Sequence, residues 1–297
     1  MTALRALLAG IVDYAGLFPP AALDMSSAVR NYAQYRSESE AWMLGRFVLP
    51  ASRLDEFSAA RAALVDERDS SWRLAVLLGP DAVSDLERAH RFNEANGGAS
   101  AAAVIDVVEG KFTTPESIAA VGERARPEFT LFAEIPIEGD SSTLMDAIAA
   151  AGVNAKIRTG GVTADAFPSP ELIVRFIRRC VDAKVTFKAT AGLHHPLRAE
   201  QRLTYATDAP RGVMYGFLNV FLVSAYIEFG MSDADAHELL LDGDPEAFAF
   251  TDASIAWRGR NLSAAQLRLA RDVVATSFGS CSFREPVDDL HELSILH

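Results

Sequence analysis

Lysine is nearly missing from this chain. Of 28 basic residues among 297, only four are lysines (Lys111, Lys156, Lys184 and Lys188), and arginine supplies the other 24. Arginine does not give up its proton in proteins, whereas burial or a neighbouring charge can tune a lysine to a neutral amine. Each retained lysine is therefore a position to inspect. Cysteine is also scarce. Cys180 and Cys281 lie far apart with no Cys-x-x-Cys, so neither a disulfide framework nor a cysteine-rich zinc site is expected. No Gly-x-Gly-x-x-Gly or Gly-x-x-x-x-Gly-Lys segment supports a nucleotide-binding sheet, and no cofactor is expected. An excess of positive charge is lacking too. The net charge of −12 argues against nucleic acid or an anionic membrane as partner.

Long hydrophobic runs are missing as well. The longest uncharged stretch, Gly212–Ile227, contains Asn219 and Ser224 and falls short of the ~20 residues a bilayer requires. It reads as a buried helix, packed either inside the protomer or across a subunit interface, which leaves a homo-oligomer open. The N-terminal apolar stretch is short and runs directly into Asp13, Tyr14 and a Pro-Pro turn, so it reads as a first strand, not a signal peptide. A cytoplasmic location is expected.

What is present is a steady alternation. Apolar runs at Leu8–Val12, Met43–Leu49, Arg73–Leu78, Ala101–Val108, Thr130–Ile135, Asn154–Arg158 and Val185–Thr190 read as strands. Between them, Ser26–Tyr35, Ser52–Asp66, Ala82–Ala95, Pro115–Arg126, Ser142–Ala151 and Pro170–Ala183 read as helices, several opened by a cap or a first-turn proline. Such alternation implies parallel strands with right-handed crossovers, and a TIM-type (β/α)8 barrel is the economical closure. A length of 297 fits one such barrel as well as it fits two domains of ~150 residues. An open doubly wound sheet is the runner-up. After Pro196 the pattern breaks into a helical elaboration over about 197–247, followed by a strand at Phe248–Trp257 and a helix at Ala264–Thr276. The eighth strand is ambiguous between the start of the Val213 run and Phe248–Trp257. No composition shift marks a second domain.

In a parallel barrel the chemistry gathers at the carboxyl ends of the strands. Those ends offer Asp13 and Tyr14, Asp106, Glu134, Lys156 to Gly161, and Lys188 to Pro196. Alternation along Asn154–Arg158 turns Asn154, Lys156 and Arg158 inward. Along Val185–Thr190 it turns Thr186, Lys188 and Thr190 inward. Two of the four lysines would then share one interior on neighbouring strands. A neutral amine there attacks a carbonyl to form a Schiff base, with the second lysine depressing the pKa of the first. Asp106 and Glu134 would carry protons or form ion pairs with the lysines.

These residues carry a resemblance. The stretch from Ala155 to Pro196 resembles deoxyribose-phosphate aldolases, which have a Lys-x-x-Thr-Gly strand end, a Pro-Glu helix start and a Phe-Lys-x-x-Gly-Gly strand end. Lys156, Thr159 and Gly160 match the first motif, and Lys188 through Gly192 the second. Val104–Val108 looks like that family's aspartate-bearing strand, and Phe132-Ala-Glu134 like the next. The resemblance covers about residues 101–192. It implies Lys156 as the Schiff-base lysine, Lys188 as its pKa-lowering partner and Asp106 in the proton relay. The chain departs from the pattern at Arg158, and at Leu193-His194-His195, where a phosphate-cradling Gly-Gly turn is missing. Gly279-Ser280-Cys281-Ser282 faintly echoes a further strand-end motif but lies past a predicted helix. Arg158 has the fork geometry to hold a carboxylate or phosphate by itself.

His194 and His195 are adjacent, so they are expected to face opposite ways; one of them with Glu134 or Asp106 would make a metal site. Tyr14 is a candidate donor to a substrate oxygen, beside Leu17 and Phe18 at the barrel rim. The Glu285–Glu292 acidic cluster reads as a solvated tail, and Arg175, Arg178 and Arg179 as a solvated helix face. The expected protein is thus a lysine-dependent, aldolase-like lyase acting on a small carbonyl or sugar-derived metabolite. Lys156, Lys188 and Asp106 are its catalytic candidates, and Arg158, Thr159, Glu134, His194 and Tyr14 its substrate-binding candidates. The alternatives are a metal-dependent barrel lyase or isomerase using Glu134 and His194, and a catalytically silent barrel that binds an anionic metabolite.

Overall fold

The computed structural model describes residues 1–64, 71–96 and 103–296. The end of the predicted helix Ser52–Asp66 and the start of the predicted strand Ala101–Val108 fall outside them. The first seven strands are β1 (Val12–Tyr14), β2 (Leu44–Pro50), β3 (Trp72–Leu77), β4 (Ala103–Lys111), β5 (Thr130–Glu134), β6 (Asn154–Arg158) and β7 (Phe187–Thr190). An antiparallel hairpin follows, β8 (Ala199–Arg202) with β9 (Arg211–Met214), and then an antiparallel meander of β10 (Phe248–Phe250), β11 (Ser254–Trp257) and β12 (Arg260–Ser263). The last strand is β13 (Ala275–Ser280). Strands β1 to β7 and β13 close into an eight-stranded, all-parallel TIM-type barrel, with β13 hydrogen-bonded between β7 and β1.

Amphipathic helices cover the barrel through one apolar stripe, as helix Pro170–Ala183 shows. Helix Pro170–Ala183 buries Ile173, Val174, Phe176, Ile177 and Cys180, at the i, i+3, i+4 spacing that a core-facing stripe requires. Its arginines are not simply solvated. Arg175 donates to the carbonyls of Ile137 and Gly139, and Arg178 and Arg179 reach Asp233 and Asp140. The apolar run after Gly212 forms helix Phe217–Glu228, in which every residue from Phe217 to Ile227 is buried within this one chain. No helix among the described residues is long and apolar enough to cross a membrane.

Three expectations change at the chain's ends. The residues before Ile11 form a helix, Ala3–Leu8, and the first strand begins only at Val12. The elaboration after Pro196 contains the β8–β9 hairpin as well as helices Phe217–Glu228 and Asp233–Leu241. Neither candidate for the eighth strand occupies that place. The Val213 segment is half of a hairpin, Phe248–Trp257 belongs to the outer meander, and Ala275–Ser280 closes the barrel. That strand carries Ser277 and Gly279 where a core strand would carry apolar groups, so it shows no apolar run.

Candidate active site

The barrel interior is layered. Val48, Ala75, Val107 and Phe132 from β2 to β5 form a compact apolar cluster of their own, apart from the main core between barrel and helices. A second, charged group combines Asp13 of β1, Glu109 of β4, Glu134 of β5, Lys156 of β6 and Lys188 of β7. Pairing of β6 with β7 places Lys156 directly beside Lys188, and pairing of β5 with β6 places Glu134 beside Lys156. Ala155, Ile157, Phe187 and Ala189 turn outward into the main core, as the alternation predicts.

Both lysines are buried and both are paired. Lys156 Nζ lies 2.9 Å from Glu109 Oε2 and 2.9 Å from Glu134 Oε2. Lys188 Nζ lies 2.6 Å from Glu109 Oε1 and 2.6 Å from Asp13 Oδ2. One carboxylate therefore separates the two ammonium groups, giving one oxygen to each. Asp13 is held from three sides, by Lys188, by the Ser277 hydroxyl at 2.8 Å and by the Arg46 backbone N–H at 2.7 Å. Arg158 completes the row through Nε to Glu134 Oε1 at 3.2 Å. Three carboxylates thus face two ammonium groups and one guanidinium, and formal charge closes to zero, as buried charges require.

The pairing sets protonation states. Burial pushes the Glu109 carboxyl up, but Lys156 and Lys188 outweigh it and bring it down to about 2. Glu134 is lowered in the same way, burial being overcome by Lys156 and Arg158. Burial pulls Lys188 down, yet Asp13 and Glu109 more than compensate and hold it above the ordinary lysine range. Lys188 is therefore held as a cation, with Glu109 standing between the two ammonium groups.

A cavity of about 340 Å³ opens onto this row at the carboxyl ends of the strands. Glu109, Lys156 and Lys188 line it together with Arg158, Thr190 and Gly279. Phe18, Pro19 and Pro20 enter from the loop after β1, and Arg202, Leu203, Tyr205 and Met214 from the β8–β9 hairpin.

The predicted site residues fall into two groups. Lys156, Lys188, Glu134, Arg158 and His194 come together at or around this cavity. Asp106 does not. Its carboxylate takes Nε and Nη2 of Arg46 at 2.7 and 2.9 Å and also pairs with Arg73, nearer the amino end of β4. Tyr14 is fully buried on the other face of β1, where it packs against Tyr32, Tyr35 and Phe47. Its neighbour Asp13 takes the inward position, since successive strand residues face opposite ways. Thr159 is a strut, with its hydroxyl donating to the Ala191 carbonyl at 2.7 Å. The motif glycines serve packing between the same two loops. A Cβ on Gly192, whose φ is +74°, would meet Gly160 Cα at 3.0 Å and Phe167 at 2.8 Å.

Glu109 is the residue that sequence reasoning missed. Strict alternation from an inward Asp106 turns residue 109 outward. A bulge between Ile105 and Val107, where Leu74 pairs Ile105 but Ala75 pairs Val107, resets the phase and brings Val107 and Glu109 inside. The available signal was a glutamate directly after an apolar strand, followed by glycine.

Both histidines after β7 bind acids of helix Arg284–Glu292, so this segment is no solvated tail. His194 Nδ1 lies 2.9 Å from Glu285 and His195 Nδ1 lies 2.5 Å from Asp289, one helical turn further on. The Tyr205 hydroxyl donates to Glu285 at 2.9 Å and approaches Cys281 Sγ at 3.4 Å. Burial raises the Cys281 thiol, which keeps it protonated. The segment Gly279–Ser282, past the predicted helix, lies at the carboxyl end of β13 beside β7. Among the described residues no group of three or more His, Cys, Asp or Glu side chains is placed to hold a metal ion. Glu134 and His194 are each engaged with other partners.

Comparison of the chain with protein-family models, with curated proteins and with solved structures found no match. The TIM-barrel architecture is compatible with an aldolase-like enzyme as with other barrel enzymes, so the functional reading rests on the site.

Proposed function

We propose that the protein is a lysine-dependent, aldolase-like lyase that binds a small carbonyl substrate covalently at Lys156. The observation that carries this reading is the position of Lys156 Nζ, on the floor of a cavity and 2.9 Å from each of two carboxylates. An ammonium and an iminium carry the same charge. Glu109 and Glu134 balance the resting lysine, and they balance its Schiff base equally well without rearrangement.

Formation of that species needs only proton traffic within the cluster. The Lys156 ammonium passes a proton to Glu134, which Arg158 and Lys111 keep anionic at rest. The neutral amine attacks the carbonyl carbon. A second amine proton follows the first, both leave on the carbonyl oxygen as water, and the nitrogen keeps one hydrogen as iminium. Lys188, fixed as a cation by Asp13 and Glu109, supplies a constant positive field on the far side of Glu109. The resemblance to deoxyribose-phosphate aldolases agrees in its two lysines, while the acid that links them is Glu109 in place of Asp106.

Sodium borohydride added to protein with acetaldehyde, hydroxyacetone or pyruvate tests the reading. The expected result is one covalent adduct per chain in the intact mass, lost in Lys156→Met. A folded wild-type protein that yields no adduct with any carbonyl would contradict it. A second reading is favoured by one observation, the complete ion pairing of both lysines: the barrel holds an anionic metabolite without reacting. Saturable binding of carboxylates with no reducible adduct is what that reading requires.

A further inference from the structure

The cavity rim beyond β7 and β13 carries a second set of titratable groups that the lysine chemistry does not use. His194 lines the same cavity as Lys156 and Lys188 and is only 8% exposed. Its Nδ1 faces Glu285 at 2.9 Å, with the Ser280 hydroxyl at 3.5 Å. Burial pushes the Glu285 carboxyl up, but hydrogen bonds from His194 and Tyr205 bring it below its ordinary value, so it is an acceptor. Nδ1 is then the protonated nitrogen of the neutral ring, and the lone pair sits on Nε2. Nε2 makes no hydrogen bond among the described residues. Helix Arg284–Glu292 fixes Glu285 at its first turn, where the Glu285 N–H donates to Ser282 Oγ at 3.1 Å. A histidine oriented by a carboxylate, with its second nitrogen unbonded and its ring among the residues that line a cavity, has the makings of a general base.

We propose that His194 is the base that moves the proton on the carbon next to the substrate carbonyl, with Glu285 as its positioning residue. The inference rests on the Lys156 reading and narrows the substrates to enolisable aldehydes and ketones. In the step, the C–H bond alpha to the iminium breaks and its proton goes to His194 Nε2. The electron pair of that bond forms C=C, and the iminium π pair returns to the Lys156 nitrogen, giving a neutral enamine. The imidazolium formed is balanced by Glu285. In the reverse direction the same proton returns to carbon.

The test is deuterium exchange into the alpha positions of hydroxyacetone or pyruvate in D2O, followed by NMR, alongside borohydride trapping. His194→Ala, and His194→Asn, whose amide keeps a donor towards Glu285, are expected to retain the Lys156 adduct. Both should lose exchange by about 10²- to 10⁴-fold. Glu285→Gln is expected to keep the adduct and shift the rising limb of the exchange–pH profile to lower pH, because the charge that favours the imidazolium is gone. The charged groups around the ring are Glu285 and the His195–Asp289 pair, and Tyr205, Cys281 and Ser280 are neutral neighbours. Exchange unchanged in both His194 variants, with the adduct present, overturns the role of His194 alone. No adduct in the wild-type protein overturns the lysine reading and this step with it.

Discussion

Strand β4 places two carboxylates in two different settings. Asp106 and Glu109 are three residues apart, roughly 10 Å along the strand. Asp106 meets Arg46 and Arg73, whereas Glu109 meets Lys156 and Lys188. The first cluster is a fixed ion pair, because guanidinium holds its proton and matches the carboxylate fork with two parallel bonds. None of its members lines the cavity. The second cluster uses the side chain whose proton can leave, and it forms the cavity floor. The lysine cluster closes to zero charge with Asp13, Glu134 and Arg158, whereas in the first cluster two guanidinium groups share one carboxylate, Arg73 being largely exposed. They differ in whether a cation can give up its proton, and the proposed function uses that difference at two of the chain's four lysines.

The largest contrast should appear in stability. Glu109→Ala removes the counterion shared by two buried ammonium groups and is expected to cost about 3–5 kcal/mol in urea denaturation. A cost under about 1 kcal/mol would mean that water already screens the pair. Next comes acid. A carboxylate lowered on folding contributes stability above its unfolded value and loses it as pH falls through its folded value. Glu109 should therefore withdraw on the order of 3 kcal/mol between pH 4.5 and about 2, with Glu134 acting in the same direction. A flat stability profile across that window would break the assignment. Asp106→Ala, at a site 30% exposed, should cost about 1–2 kcal/mol and leave borohydride trapping intact. Loss of trapping would return Asp106 to the reaction. Smallest of all, Lys111→Ala should change stability by less than about 0.5 kcal/mol, since that side chain is 74% exposed and its nearest carboxylate is 4.0 Å away.

The barrel was legible where local pattern and packing agree. The predicted strands from Met43–Leu49 to Asn154–Arg158 carry apolar groups on the helix-facing side and coincide closely with β2 to β6. Helices Ser142–Ala151 and Pro170–Ala183 have their predicted limits. Inward lysines followed from strand alternation alone. Two features did not follow, for physical reasons. Ala275–Ser280 lines the charged half of the interior with Ser277 and Gly279, leaving no apolar period to read. Glu109 is inward only because a bulge slips the register by one residue, and a bulge has no signature in hydrophobicity. The partners of His194 and His195 were hidden differently. They lie about 90 residues downstream on a helix whose acidic face resembles any solvated surface.

The four lysines of this chain serve as one another's controls, so peptide mapping after borohydride reduction with a small carbonyl is the most direct measurement. Label on Lys156, with Lys188, Lys111 and Lys184 at background, is the predicted result. Label on Lys188, or spread over the exposed Lys111 and Lys184 with Lys156 unmodified, would contradict the assignment of Lys156 as the reacting amine.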